Sequence, residues 1–138
     1  EGDGGNSKVQ DLKRRCEMVR KIQPDCVLSI HQNSYPEEAI HGAQVFYYED
    51  SSEGKKLAEI LQKHLVEVLD KENHRQAKGN RTYYMLKKTE ATLVIVECGF
   101  LSNNQEALLL TDEKYQNKVA KAICSGTLEY LSSLAEKK

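Results

Sequence analysis

The stretch Thr92-Leu93-Val94-Ile95-Val96-Glu97 is the most strand-like segment of the chain and decides the class of fold. Five β-branched or aliphatic residues precede its first charged side chain, which is typical of a strand buried on both faces. Cys26-Val27-Leu28-Ser29-Ile30 is a second short, mostly apolar run, and it is expected to end at His31. Both segments therefore predict strands of a sheet that is covered on its two faces.

Segments with the helical spacing of apolar residues alternate with these runs. The helices are expected to be capped at Ser7, Asp50, Asn103 and Thr111. Further strands are expected at residues 44–48 and 83–86, and a polar surface loop at residues 71–80. Helices that alternate with buried strands predict an α/β fold, an open, mostly parallel twisted sheet with helices on both faces.

The composition is that of an ordinary globular domain, with 138 residues, 39% apolar and 30% charged, and a net charge of −1. This length suits one hydrophobic core, so residues 1–138 are expected to form a single domain or most of one. The balanced charge gives no basic footprint for nucleic acid. The longest apolar runs fall far short of the roughly 20 residues that a membrane-spanning helix needs. No nucleic-acid partner and no membrane span are therefore expected.

The two apolar strands lead to the residues best suited to chemistry, His31 and Glu97. Ligands of open α/β sheets lie beyond the carboxyl ends of the strands, so both side chains are expected in one crevice. A histidine at a strand end is by itself more often structural. A carboxylate after Val-Ile-Val loses its hydration unless it is paired, bound to a metal or used as an acid or base. Together, a neutral imidazole and a carboxylate indicate metal-assisted hydrolysis.

The other histidines are expected to be structural or solvated. His64 lies between Leu61 and Leu65 on an apolar helix stripe, which favours a core or boundary position. His41 and His74 lie in polar loops, where a solvated imidazole is the default, and His41 keeps a smaller chance of lining the site. Because no C-x-x-C pair occurs, four reduced thiols packed as small apolar groups are expected, at Cys16, Cys26, Cys98 and Cys124.

Two motifs resemble a known family of zinc hydrolases. Ser29-Ile30-His31-Gln32-Asn33-Ser34 resembles the "S-I-H-x-N" signature of the zinc-dependent N-acetylmuramoyl-L-alanine amidases. Val94-Ile95-Val96-Glu97-Cys98-Gly99-Phe100-Leu101-Ser102-Asn103 is similar to the same family's "V-x-V-E-x-G-F-L-S-N" signature. Comparable segments lie between them, and the resemblance runs from Lys8 to Leu131. It is strongest to the germination-specific members of endospore-forming bacteria, which act on the spore cortex.

The resemblance implies a zinc site held by two histidines and a glutamate, with His31 as the second histidine and Glu97 as the catalytic glutamate. Asn33 and the region of Lys87 are expected to orient the substrate. The family's first histidine lies in a Gly-His-Gly motif and its ligand glutamate in the following helix, and neither motif occurs in this chain. We therefore expect the remaining His and Glu ligands upstream of Glu1, in a first strand and helix that this C-terminal part of the domain lacks.

The implied reaction is hydrolysis of the amide bond between the lactyl group of N-acetylmuramic acid and L-alanine in peptidoglycan. The implied place is extracytoplasmic, in the cell wall or spore cortex, with a protein activator as a candidate partner. Residues 1–6 are expected to be a flexible lead-in, and any signal segment lies outside this chain. This chain alone is expected to bind zinc poorly and to be inactive. A zinc peptidase and a catalytically inactive module that binds the wall or a partner protein stay open as alternatives.

Overall fold

The strand β4 (Leu93–Phe100) is fully buried along its eight residues and lies inside a four-stranded sheet. The computed structural model describes residues 4–33 and 39–136. The other strands are β1 (Val27–Asn33), β2 (Gln44–Tyr48) and β3 (Lys78–Asn80), and the order across the sheet is β1-β4-β2-β3. The β1–β4 and β2–β3 pairs are parallel, whereas β2 and β4 are antiparallel. The expected open, mostly parallel α/β sheet is confirmed.

Helices cover both faces of this sheet, as expected. They are α1 (Gly4–Ile22), α2 (Ser52–Leu69), α3 (Tyr84–Lys88), α4 (Asn104–Leu110) and α5 (Glu113–Glu136). Val94 and Val96 pack on one face against α2, α4 and α5. Leu93 and Ile95 pack on the other face against α1 and α3. Among the helices in residues 4–33 and 39–136, none combines the length and the apolar character that crossing a bilayer requires.

Both strands that carry the candidate residues are longer than expected. β1 continues through His31 to Asn33, and β4 continues through Glu97 to Phe100, so neither strand ends at its titratable residue. The hydrogen-bonded pairing of β1 with β4 extends to these positions, which apolar patterning alone does not reveal. His31 and Glu97 are therefore held by the sheet itself rather than by a loop.

The region after α2 also differs from the expectation. Residues 78–80 form the short strand β3 inside the expected loop, and residues 83–86, expected as a strand, belong largely to helix α3. The side-chain oxygen of Asn80 accepts hydrogen bonds from the backbone N–H groups of Thr82 and Tyr83, both at 2.8 Å. This turn redirects the chain from β3 into α3 and overrides the strand preference of the two tyrosines.

Three of the four expected helix starts need correction. Asn103 caps α4 as expected, whereas α1 already begins at Gly4 and so contains the expected cap Ser7. Ser51 rather than Asp50 caps α2, and the carboxylate of Asp112, not Thr111, accepts the backbone N–H of Tyr115 at the start of α5. In the last two cases a neighbouring short polar side chain reaches the unpaired N–H groups of the first turn.

The thiols do not share one environment. Cys16 and Cys98 are buried and Cys26 is half-buried, and these fit the expected packing as small apolar groups. Cys124 is exposed, which corrects the expectation. The buried residues of α5 recur at positions 119, 122, 126 and 130. Position 124 lies off this stripe because each helical residue turns by about 100 degrees.

A buried glutamine joins α2 to the start of β2. The side-chain oxygen of Gln62 accepts the Val45 backbone N–H at 2.8 Å, and its amide nitrogen donates to the Ala43 carbonyl at 3.0 Å. Gln62 is itself buried. One side chain therefore bonds two backbone groups: it supplies the acceptor for the Val45 N–H, and it shares the Ala43 carbonyl with the amide of Asn73, which donates at 3.0 Å.

We expect the substitution Gln62→Leu to lower the free energy of unfolding by roughly 1–3 kcal/mol, because it leaves the buried Val45 N–H without the side-chain oxygen of Gln62, whereas the Ala43 carbonyl keeps its hydrogen bond from Asn73. The measurement is urea unfolding followed by circular dichroism. Lys63→Leu, at the exposed neighbouring position, is the matched control and should stay within about 0.5 kcal/mol of the parent. Equal stability of the two variants would show that Gln62 contributes nothing beyond its place in the helix.

Candidate active site

Three polar residues form a row across the middle of the sheet. His31 on β1 and Gln44 on β2 are each in register with Glu97 on β4, which lies between them. Directly paired residues of neighbouring strands point to the same face. Phe46 and Ile95 pair two positions away and pack against α1 and α3, which identifies the face that the row occupies. The structure thus brings the two predicted site residues side by side.

The imidazole of His31 is partly buried and is held by a local contact. Its Nε2 atom lies 2.8 Å from the hydroxyl oxygen of Ser29, two residues earlier on the same face of β1. Burial lowers the pKa of His31 from its ordinary value of 6.5, and the positive charges of Arg15 and Lys8 on α1 lower it further. The neutral imidazole is therefore favoured, which is the form that can accept a proton or bind a metal ion.

Glu97 is the most deeply placed of the three, with 1% of its surface exposed. Its charge affects its neighbour in sequence, since burial and then the nearby Glu97 raise the pKa of Cys98 to about 12. The Cys98 thiol is therefore protonated at neutral pH, which makes it neither a nucleophile nor a ready metal ligand. A carboxylate buried at a strand position is a costly feature, and such groups concentrate at functional sites.

The end of β4 beyond Glu97 is fixed by a bulge and by a carboxylate from α4. His31 pairs with Glu97 but Asn33 pairs with Phe100, so β4 gains one residue, and Gly99 there has a φ of 159°. Glu106 accepts the backbone N–H of Phe100 with one oxygen and that of Gly42 with the other, both at 2.9 Å. One carboxylate therefore joins the end of β4 to the segment before β2.

The two residues expected to orient the substrate stay predictions, because the structure describes only one of their side chains. Asn33 ends β1, but its side chain and residues 34–38 lie outside the described residues. Lys87 is exposed on α3, whose buried residues pack against Leu93 and Ile95, in the half of β4 that precedes Glu97. Lys87 thus lies on the correct face of the sheet but towards the other end of the strand.

The remaining histidines behave largely as expected. His64 lies at a boundary and its Nε2 atom is 2.9 Å from a carboxylate oxygen of Glu129. His74 is exposed. His41 is also exposed. It lines a cleft of about 250 Å³ together with Asp70, Asn103 and Glu106. None of the three stands in the row formed by the two predicted residues and Gln44.

Sequence reasoning missed two residues of this site, Gln44 and Arg75. Gln44 is the first residue of an apolar strand, and only the register shows that it is the neighbour of Glu97. The guanidinium of Arg75 donates to the side-chain oxygen of Gln44 at 2.9 Å, although 31 positions separate the two residues in the sequence. A polar residue that opens an apolar strand was a signal for Gln44, whereas a charged loop offered none for Arg75.

The described residues do not complete the expected zinc site. No group of three or more His, Cys, Asp or Glu side chains within residues 4–33 and 39–136 is arranged to hold a metal ion. A catalytic zinc site uses three protein ligands and keeps one open position. His31 and Glu97 alone fall short of that set, so within the described part of the chain they form an imidazole–carboxylate pair and not a closed metal centre.

The fold is an open α/β sheet, and its candidate site is an imidazole–carboxylate pair on two adjacent parallel strands. Residues 3–129 match the family model Amidase_3, described as N-acetylmuramoyl-L-alanine amidase, and the chain belongs to this family. The chain is 37% identical over 134 residues to the germination-specific N-acetylmuramoyl-L-alanine amidase of Bacillus subtilis (strain 168), a match that covers 96% of this chain and 56% of that protein.

Solved structures agree with this assignment. The CwlD amidase from Clostridioides difficile, solved in complex with the GerS lipoprotein, matches with a TM-score of 0.90 and 39% identity over 94% of this chain and 66% of that chain. The catalytic domain of CwlV from Bacillus (Paenibacillus) polymyxa var. colistinus matches with a TM-score of 0.78 and 30% identity over 88% of this chain and 65% of that chain. The chain therefore spans little more than half of the Bacillus subtilis relative and about two thirds of these structures. The expected family is confirmed.

We expect the positive charges of α1 to help keep His31 neutral at pH values somewhat below 6.5, its ordinary pKa. Arg15→Gln removes a nearby positive charge and should raise the pKa of His31 towards 6.5, whereas Arg20→Gln at the far end of α1 should change it much less. NMR titration of the imidazole Cε1–H signal measures both. Because the folded-state pKa is lowered, the free energy of unfolding should fall as the pH drops from 6.5 through the folded-state pKa. An unchanged pKa in Arg15→Gln would contradict this account.

Proposed function

We propose that the protein is an N-acetylmuramoyl-L-alanine amidase that hydrolyses the amide bond between the lactyl group of N-acetylmuramic acid and L-alanine in peptidoglycan. The observation that carries the proposal is the register of His31 with Glu97 in a chain whose residues 3–129 match this family. An imidazole and a carboxylate on adjacent strands supply a ligand or hydrogen-bonding group and a proton acceptor on one face of the sheet.

Glu97 is assigned the proton transfers. In this proposal its carboxylate takes a proton from the attacking water and then gives a proton to the amine of L-alanine as the amide bond breaks. The low exposure of Glu97 keeps bulk water away from this exchange, and the sheet on both sides holds the carboxylate in place. A general base that works in this way contributes roughly 10²-fold to 10⁴-fold to the rate.

His31 is assigned one ligand position of a zinc ion, the cofactor that the motifs imply. Its lowered pKa supports this role, because only the neutral imidazole binds a metal. The described residues hold no complete set of three ligands, so a zinc site would require a further histidine and glutamate from outside them to join His31. For that reason the steps assigned here concern only Glu97 and His31.

We also propose where the protein acts and which kind of partner it has. Relatives bear the names of cell wall amidases and of a germination-specific amidase, which supports action outside the cytoplasm on the cell wall or the spore cortex. The Clostridioides difficile CwlD amidase was solved with the GerS lipoprotein. We therefore include a protein activator as a candidate partner for the protein that carries this chain.

The second candidate is a catalytically inactive module that binds peptidoglycan or a partner protein, which an incomplete ligand set in the natural protein would favour. Product analysis on purified peptidoglycan separates the two candidates. Amidase action releases the amino ends of L-alanine and leaves intact lactyl groups on the glycan. A zinc peptidase would free other amino ends, and the inactive module would free none.

Two substitutions in the natural full-length protein should separate the metal ligand from the base. His31→Ala should lose bound zinc and activity together, because removal of one of three protein ligands weakens metal binding strongly. Glu97→Gln keeps the shape of the side chain but removes the proton acceptor. Bound zinc should therefore stay near the parent level while turnover falls by roughly 10²-fold to 10⁴-fold. Atomic absorption and the release of amino ends measure the two effects.

The matched control for His31→Ala is His64→Ala. It removes an imidazole of α2 that is bonded to Glu129 of α5, on the face of the sheet opposite to His31. It should retain both zinc and turnover. Full activity of Glu97→Gln, or a loss of zinc as complete as in His31→Ala, would show that Glu97 is not the base.

A further inference from the structure

The guanidinium of Arg75 contacts two residues that lie near Glu97, Gln44 and Phe100. Across the sheet, its Nη1 atom donates to the side-chain oxygen of Gln44 at 2.9 Å, and Gln44 is the register partner of Glu97. Along the strand, its Cζ atom lies 5.4 Å from the centre of the Phe100 ring. Phe100 pairs with Asn33, two residues beyond His31, and so lies on the same face as Glu97.

Other contacts hold Arg75 in this position. Its Nε atom donates to the His41 carbonyl at 2.7 Å, and its backbone N–H donates to the side-chain oxygen of Asn73 at 3.0 Å. The amide nitrogen of Gln44 donates in turn to the Gln76 carbonyl at 2.8 Å. The segment that carries Arg75 is therefore fixed on the start of β2, and the guanidinium is oriented before any ligand arrives.

The oxygens that hold the guanidinium belong to a carbonyl and an amide, which carry no formal charge. A guanidinium has five N–H donors in a planar fork, and these two contacts use Nε and Nη1. Arg75 is half-buried, so its positive charge is only partly screened by water. Such a group favours a planar anion with two oxygens, a carboxylate above all.

The position of Arg75 suits the peptide side of the substrate. Glu97 and Gln44 lie on adjacent strands about 4.8 Å apart, and the guanidinium is one side chain further, which places it on the order of 10 Å from Glu97. An extended peptide covers that distance in about three residues, at roughly 3.3 Å each. A carboxylate within the first residues of the stem peptide can therefore reach Arg75 while the scissile amide lies at Glu97.

We propose that Arg75 binds a carboxylate of the stem peptide and thereby positions the scissile amide beside Glu97. This inference rests on the proposed amidase function, and it adds the residue that recognises the negative charge of the peptide. Arg75 acts here as a binding and positioning residue, and the proton transfers stay with Glu97. The enzyme should accordingly discriminate between stem peptides with free carboxylates and those with amidated carboxylates.

The test compares the natural full-length protein with its Arg75→Gln and Arg75→Lys variants on two muropeptides, one with free and one with amidated carboxylates. The parent should cleave the free form with the higher kcat/KM. Arg75→Gln should lose about 10-fold to 100-fold in kcat/KM on the free form, mainly through KM, because a hydrogen-bonded charge pair is lost. On the amidated form its loss should be small. Arg75→Lys should recover part of the difference, since it keeps the charge but not the fork.

Arg81→Gln is the matched control, because Arg81 is an exposed arginine paired with Glu49 and Asp50 and stacked on the Tyr48 ring. Arg81→Gln should leave kcat/KM unchanged on both muropeptides. Thermal unfolding of each variant verifies the fold. An equal loss on the two substrates in Arg75→Gln would overturn the proposal, since it would show that Arg75 only supports the loop.

Calorimetric binding of uncleavable versions of the same two muropeptides gives a readout that does not depend on turnover. A weaker affinity of Arg75→Gln for the free form alone supports the proposal, and equal affinities of parent and variant overturn it. If the parent cleaves neither substrate, the amidase function fails, while the binding comparison still decides the role of Arg75. The failures of the two proposals are thus distinguishable. Muropeptides amidated at a single carboxylate then identify which group Arg75 binds.

Discussion

The register between β4 and its two neighbours is the constraint on which the rest of the structure depends. All eight residues of β4 are buried, and before the bulge they alternate between a layer packed on α2 and α5 and a layer packed on α1 and α3. A slip of one residue would move every side chain of the strand to the opposite face. The apolar residues of both layers therefore determine that Glu97 lies between His31 and Gln44 on one face.

Polar side chains, one buried and two half-buried, connect the segments that meet at one end of the sheet. Gln62 completes the start of β2 from α2, and Glu106 joins the end of β4 to the segment before β2. Arg75 adds a third connection from the loop before β3. These three side chains come from different parts of the sequence and meet around the same end of the sheet. Each contact gives a polar group near this end of the sheet a hydrogen-bond partner in place of water.

The chemistry of the pair follows from its unequal surroundings. His31 lies at the edge strand beneath the positive charges of α1, which favour its neutral form. Glu97 lies one strand further inside, almost without exposure. A neutral imidazole next to a secluded carboxylate is suited to hold and to move protons in hydrolysis. On the other side of Glu97, beyond Gln44 of β2, the guanidinium of Arg75 adds a positive charge held by two uncharged oxygens.

The sequence by itself determined the class of fold, the two main strands and the two polar residues that follow their apolar runs. Apolar periodicity and the two motifs are local signals, so they can be read without the structure. Only the tertiary structure decided that β1 and β4 continue past His31 and Glu97, that residues 83–86 turn into a helix, and that Gln44 and Arg75 belong to the site. These features depend on hydrogen bonds between residues far apart in the chain. Local propensity does not encode such contacts, since they form only when the strands have found their register.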